Sequence, residues 1–138
     1  MHTILIIDDE TSNIKILSAE LKSDYNIIVA KSGQRGLDAI ETHKPDLVLL
    51  DIIMPEMDGF SVIKHIKSRP EIKDTPVIFI SGLDGGKKEE FGLTLGAADY
   101  IYKPFSMPVV KARINNQLEV VKLKRELAKV KALLAKQS

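Results

Sequence analysis

The sequence predicts an α/β domain: a doubly wound, five-stranded parallel sheet with helices on both faces and an extended C-terminal helix. Two observations carry this reading. Five short apolar runs alternate with five helical patterns along 138 residues, and units of that kind build parallel sheets through right-handed crossovers. The apolar runs are also continuous, "LVLL" at Leu47–Leu50 above all, as expected of strands buried on both faces.

In chain order, Thr3–Ile7 is a β-branched run ending in Asp8-Asp9. Ile14, Leu17 and Leu21 then fall at i, i+3 and i+7, one face of a helix. Asn26–Ala30 is a short strand, and Gly33–His43 a helix with Leu37 and Ile40 inward, stopped before Pro45. Leu47–Leu50 is the third strand, and Phe60–Lys67 a helix with Val62, Ile63 and Ile66 on its buried side. Pro76–Ile80 reads as the fourth strand, and the glycines of Ser81–Gly86 mark a loop. Lys87–Leu95 is a short helix, Ala98–Tyr102 the fifth strand, and Pro108 opens a long helix.

The length fits one domain with a real core. A hydrophobic fraction of 44% and a charged fraction of 28% match a globular chain. No apolar stretch approaches the roughly 18 residues of a membrane helix. The first residues carry neither the basic region nor the cleavage site of a secretory signal. With no cysteine there is neither a disulfide framework nor a thiolate metal site. A cytoplasmic protein is the expectation. The net charge of +1 hides an asymmetry: residues 1–106 carry 12 Lys/Arg against 17 Asp/Glu, and residues 107–138 carry 8 against 2. The body is acidic and the tail basic.

Ligands of open α/β sheets bind beyond the carboxyl ends of the strands. Asp8, Asp9, Asp51, Ser81 and Lys103 all fall at or just past such ends. Three gathered carboxylates repel one another unless a cation sits among them. Oxygen donors with no His or Cys nearby suit Mg²⁺. A magnesium ion, a lysine, a hydroxyl and a carboxylate nucleophile make a site for phosphoryl transfer to aspartate. Each piece alone has a plainer role. Asp-Asp-Glu can simply cap the next helix, Asp51 can form a turn before Pro55, and Ser81-Gly82 can be only a turn.

The blocks "ILIIDDE", "LVLLDIIMPEMDGF", "VIFISG" and "GAADYIYKPF" together resemble the response-regulator receiver domain (CheY-like) of two-component signal transduction, over residues 2–120. The resemblance implies a flavodoxin-like strand order, 2-1-3-4-5. It implies that Asp51 accepts a phosphoryl group from a phosphohistidine on a sensor histidine kinase or phosphotransfer protein. Asp9, Asp51 and the backbone carbonyl of Ile53 would ligate Mg²⁺, with Asp8 assisting through water. Ser81 would bond a phosphoryl oxygen, Lys103 would pair with Asp51 and then with the phosphate, and the Lys103–Pro104 peptide would be cis. Tyr100 matches the aromatic that turns inward when the hydroxyl residue moves. The surface that changes would be the fourth helix and fifth strand, around Lys87–Tyr102. Ile53 and Leu83, two residues beyond Asp51 and Ser81, are apolar where polar side chains are common in fast-hydrolysing relatives. They are expected to shield the phosphoryl group from water.

The long helix divides. Val110, Ile114, Leu118 and Val121 can pack on the sheet, whereas Val120, Leu123, Leu127, Val130 and Leu134 form a heptad seam of about two repeats on another face. Residues 1–120 are read as the receiver and 121–138 as a helical, coiled-coil linker toward an output domain absent from this chain. The tail loosely resembles joins ahead of cyclic-dinucleotide or kinase modules. The expected module is a switch rather than an enzyme on other substrates: it catalyses only its own phosphorylation and dephosphorylation. Homodimers through the fourth-helix/fifth-strand face or the C-terminal helix are options. No membrane partner is expected. Lys122, Lys124, Arg125, Lys129 and Lys131 read as a solvated face rather than a nucleic-acid site. Two other functions compete. A degenerate receiver acting only in protein interaction would have lost an acidic or lysine position, and none is lost. An aspartate-nucleophile phosphatase needs a general acid two residues after the nucleophile, where Ile53 cannot donate a proton.

Overall fold

The computed structural model describes residues 1–82 and 86–137. The elements run β1 (Thr3–Ile7), α1 (Thr11–Leu21), β2 (Asn26–Ala30), α2 (Gly33–His43), β3 (Leu47–Leu50), α3 (Gly59–Lys67), β4 (Val77–Ser81), α4 (Gly86–Thr94), β5 (Asp99–Tyr102) and α5 (Met107–Gln137). The sheet is parallel throughout, in the order β2-β1-β3-β4-β5. The order moves to the opposite edge after β2, and β1 and β3 lie side by side at that reversal.

Alternation sends successive strand residues to opposite faces, and both faces are apolar. Leu5, Ile7, Val48, Leu50, Val77 and Phe79 join Leu37, Ile40, Val62, Ile63 and Ile66 in a layer under α2 and α3. Ile4, Ile6, Leu47, Leu49, Ile78 and Ile80 join Ile14, Leu17, Leu21, Val110, Ile114 and Leu118 in a layer under α1 and α5. The sheet interior therefore has no room for a charge, and polar residues collect at the strand ends.

Element boundaries shift by a residue from expectation, for local reasons. β4 begins at Val77 rather than Pro76 and runs on to Ser81, which pairs with Tyr102; a proline has no N–H to give the ladder. α3 begins at Gly59 because Asp58 caps it, its carboxylate accepting from the Ser61 N–H at 2.9 Å. α4 spans Gly86–Thr94 instead of Lys87–Leu95, β5 starts at Asp99, and α5 starts at Met107. Val121 is only partly covered, so the last α5 residue buried on the sheet is Leu118.

One glycine sets the distance between α3 and the end of β3. A Cβ on Gly59 would stand 2.4 Å from the Asp51 carbonyl oxygen and 2.9 Å from the Ile52 Cα. Both are backbone atoms, and the Gly59 N–H donates to the Ile52 carbonyl at 2.8 Å. Gly59→Ala should cost on the order of 2–3 kcal/mol, since the backbone after Asp51 must move. At Gly82 the nearest atom is Lys103 Cβ at 3.7 Å, so Gly82→Ala should stay within about 0.5 kcal/mol. Urea unfolding of the two variants beside the parent checks the contrast.

Candidate phosphoryl and metal site

The carboxyl ends of β1, β3, β4 and β5 bring Asp8, Asp9, Asp51, Ser81 and Lys103 to one edge. The Asp8 N–H donates to the Ala30 carbonyl at 3.1 Å and the Asp51 N–H to the Ile7 carbonyl at 2.9 Å. These bonds prolong the sheet by one residue and fix where each side chain leaves it. Asp8, Asp51 and Ser81 are buried and Asp9 is exposed. Asp8, Asp9 and Asp51 each offer a carboxylate oxygen within 4.8 Å of the other two. The Lys103 N–H donates to the Ser81 carbonyl at 2.9 Å. Lys103 Nζ then lies 3.4 Å from Asp8 Oδ2 and 3.5 Å from Asp51 Oδ1, so the lysine is shared between both buried aspartates. The peptide between Lys103 and Pro104 is cis.

Asp51 Oδ1 also accepts from the Ile52 N–H at 2.9 Å. Even so, burial first, and then the Asp8 charge, push its pKa up to about 6 against the pull of Lys103. Asp8 does not cap α1: Glu10 holds the N-cap position without a side-chain cap bond, and Asp8 Oδ1 instead accepts from the Glu10 N–H at 2.9 Å in the turn before the helix. Its Oδ2 takes a bond from Asn13 Nδ2 at 3.4 Å, and that amide also donates to Glu10 at 3.1 Å. Asn13 was not singled out in the sequence. Its signal is an amide five residues after the strand end, on the turn of α1 nearest the acids.

Ile53 is 59% exposed at the rim of the site. Leu83 lies outside the described residues. The Tyr100 ring is set inward, 3% exposed. It lies 6.2 Å from the Phe79 ring and 5.0 Å from that of Tyr102, and its hydroxyl shares a hydrogen bond with Ser81. Room for Phe79 beneath it comes from Gly92, where a Cβ would stand 2.9 Å from the Phe79 ring.

The raised Asp51 pKa has a thermodynamic sign. The folded value lies above the unfolded 3.8, so the protonated carboxyl is favoured by folding. That contribution is complete below about pH 4 and is lost as pH rises through about 6. In chelator-treated protein, Asp51→Asn should therefore stabilise by about 1 kcal/mol at pH 7.5, after discounting for solvent screening, and by much less at pH 4. Thermal unfolding at the two pH values measures it.

The response regulator receiver domain family matches residues 4–115. A protein described as a probable cyclic di-GMP phosphodiesterase of Vibrio cholerae is 44% identical over 117 residues, 85% of this chain and 26% of that one. The response regulator PleD of Caulobacter vibrioides is 36% identical over 114 residues, 82% of this chain and 25% of its own. The PhoP regulator of alkaline phosphatase synthesis in Bacillus subtilis is 38% identical over 112 residues, 80% of this chain and 46% of that protein. The chain thus spans about a quarter to a half of these relatives' lengths. Among solved structures, the receiver domain of the Francisella response regulator 1452 superposes with a TM-score of 0.82 at 29% identity, covering 88% of this chain and 99% of that one. The chemotaxis protein CheY4 of Vibrio cholerae gives 0.80 at 25% identity, over 84% of this chain and 98% of its own. With its sheet order, its edge of acids and these matches, the chain belongs to the response regulator receiver domain family.

Proposed function

We propose that this receiver is a Mg²⁺-dependent switch in which Asp51 takes a phosphoryl group from the phosphohistidine of a sensor kinase or phosphotransfer protein. The observation that carries the reading is the meeting of three carboxylates within 4.8 Å with Lys103 at 3.4 and 3.5 Å. The donor set fits a hard divalent cation, being all oxygen and doubly buried. Asp9, Asp51 and the Ile53 carbonyl would hold the ion, with Asp8 assisting, and the bound ion would neutralise charge on the phosphoryl oxygens. An oxygen of the Asp51 carboxylate attacks phosphorus, the bond to the donor nitrogen breaks, and its electron pair returns to the imidazole. Lys103 moves its charge from the carboxylates to the incoming phosphate. Ser81, at the end of β4 and bonded to Tyr100, turns its hydroxyl toward the phosphoryl oxygens.

The readout surface is the face built by α4, β5 and α5. Tyr102 donates to Glu89 of α4, and Arg113 of α5 holds both oxygens of Asp99 at 3.0 Å. Residues 1–120 form the receiver, since burial on the sheet ends at Leu118, and 121–138 lead as a helical linker toward an output domain. PleD and the Vibrio cholerae phosphodiesterase, of which this chain spans about a quarter, support that division. A phosphatase reading lacks its acid, because Ile53 stands where one is needed.

Incubation with Mg²⁺ and a small acyl phosphate should add the mass of one phosphoryl group, and Asp51→Asn should take up none. Equal uptake by that variant would remove Asp51 from its role. Asp9→Ala should lose the Mg²⁺ dependence while keeping the parent's far-ultraviolet spectrum.

The lifetime of the phosphorylated state follows from the rim. An apolar Ile53 gives no hydrogen bond to orient water behind the phosphorus, and a tenfold rate change needs only about 1.4 kcal/mol. Ile53→Asn should speed loss of the phosphoryl mass after the donor is removed, about tenfold. Decay of the parent at the variant's rate would refute shielding by this side chain.

A further inference from the structure

Beyond Leu118, α5 leaves the body at the amino edge of the sheet, passing Asp46 and Pro76 with Val121, Lys124 and Arg125. From there it displays Val120, Leu123, Leu127, Val130 and Leu134 at 39, 54, 53, 51 and 61% exposure. Their spacing of 3, 4, 3, 4 places Val120, Leu127 and Leu134 at the a positions of a heptad and Leu123 and Val130 at d. At 3.6 residues per turn, this stripe lies roughly 160° around the helix from Val110, Ile114 and Leu118, which face the sheet. Val120 also borders the groove between α5 and the body, beside Asp46 and Pro76, whereas Leu123, Leu127, Val130 and Leu134 lie outside that groove.

The flanking charges specify what that helix is. The only acidic residues in 107–138 are Glu119 and Glu126, and both stand at g; both e positions within the seam, 124 and 131, are lysine. In a parallel pair, g of one helix faces e of the next heptad on the other. Glu119 then meets Lys124 of a second copy, and Glu126 meets its Lys131, with the same two pairs repeated across the axis. In an antiparallel pair g faces g and e faces e, which sets glutamate on glutamate and lysine on lysine. One heptad upstream the a and d positions become Arg113 and Asn116, and Arg113 is held by Asp99 at 3.0 Å. The apolar contact is thereby confined to the part of α5 beyond the body.

We propose that this seam is covered by a second copy of the chain, in a parallel, in-register coiled coil over residues 119–134. Both receivers then sit at one end, on outer sides of the pair, and both α5 tips lie together at the other. The proposal is independent of Asp51 chemistry, because the seam is the same whatever that residue carries.

Two measurements on the whole chain test it. Sedimentation equilibrium from about 10 µM to 1 mM should show a monomer–dimer equilibrium, with a dissociation constant at least tenfold higher for Leu127→Lys. Leu127 is exposed, so this variant keeps the receiver fold. Orientation is read by disulfides, against no background because the chain has no cysteine. Positions 120 and 134 are roughly 21 Å apart along a helix, far beyond the reach of a disulfide. In the parallel pair, Val120→Cys and Leu134→Cys each cross-link with themselves under mild oxidation. Cross-linking only when the two variants are mixed would mean an antiparallel pair and overturn the proposal. A chain monomeric throughout, or a dimer indifferent to Leu127→Lys, would overturn it as well, the first leaving the seam to some other occupant.

Discussion

A sheet buried on both faces decides where charge can go in this protein. β3 and β4 are covered along their whole length, and no interior strand position can carry an ionised side chain without a large desolvation cost. Carboxylates tolerated near the core must therefore stand just past a strand's last residue, where one side of the group still meets solvent or a counter-charge. Asp8 and Asp51 occupy those places on the neighbouring strands β1 and β3. The strand order that reverses there, rather than any local motif, makes them close enough to repel.

That repulsion is held in check incompletely. Lys103 supplies one positive charge to two buried aspartates, and Asp51 remains hard to ionise. A site left short of positive charge is disposed to take up a cation. The strain is local because the backbone around it is stiff: Gly59 lets α3 close onto the Asp51 carbonyl, and sheet bonds anchor both aspartates from behind. The packing that gathers the carboxylates thus also holds them in place.

Much of this was legible in the residues, for physical reasons. The continuous runs at Thr3–Ile7 and Leu47–Leu50 read correctly because burial on both faces leaves no alternation to confuse them. The helix faces of α1, α2 and α3 read correctly because their apolar spacing is unbroken. The five residues at strand ends followed from topology once the strands were placed. What stayed hidden depends on three-dimensional detail that sequence spacing does not carry. Asn13 matters only through the direction in which α1 starts, Lys103 divides between Asp8 and Asp51 according to side-chain reach, and the inward setting of Tyr100 depends on Gly92 leaving space behind Phe79.

The site and the helical stalk lie at opposite edges of the sheet, so α5 itself must join them. The helix runs the full height of the domain, pinned at Val110, Ile114 and Leu118 by the core and at Arg113 by both oxygens of Asp99. Tyr25 adds a third tie, donating to Asn115 at 2.7 Å. Asp99 directly precedes Tyr100, whose hydroxyl bonds Ser81 at the site. Arg113 and Asp99 thus tie α5 to β5 by an ion pair, beside the packing of Ile101 in one layer with Val110 and Ile114. An α-helix resists bending over lengths of this order far better than a loop does. The seam lies on the far side of the helix from the sheet. The face that α5 turns to the core is fixed by Val110, Ile114 and Leu118, and the face it turns away carries the exposed seam.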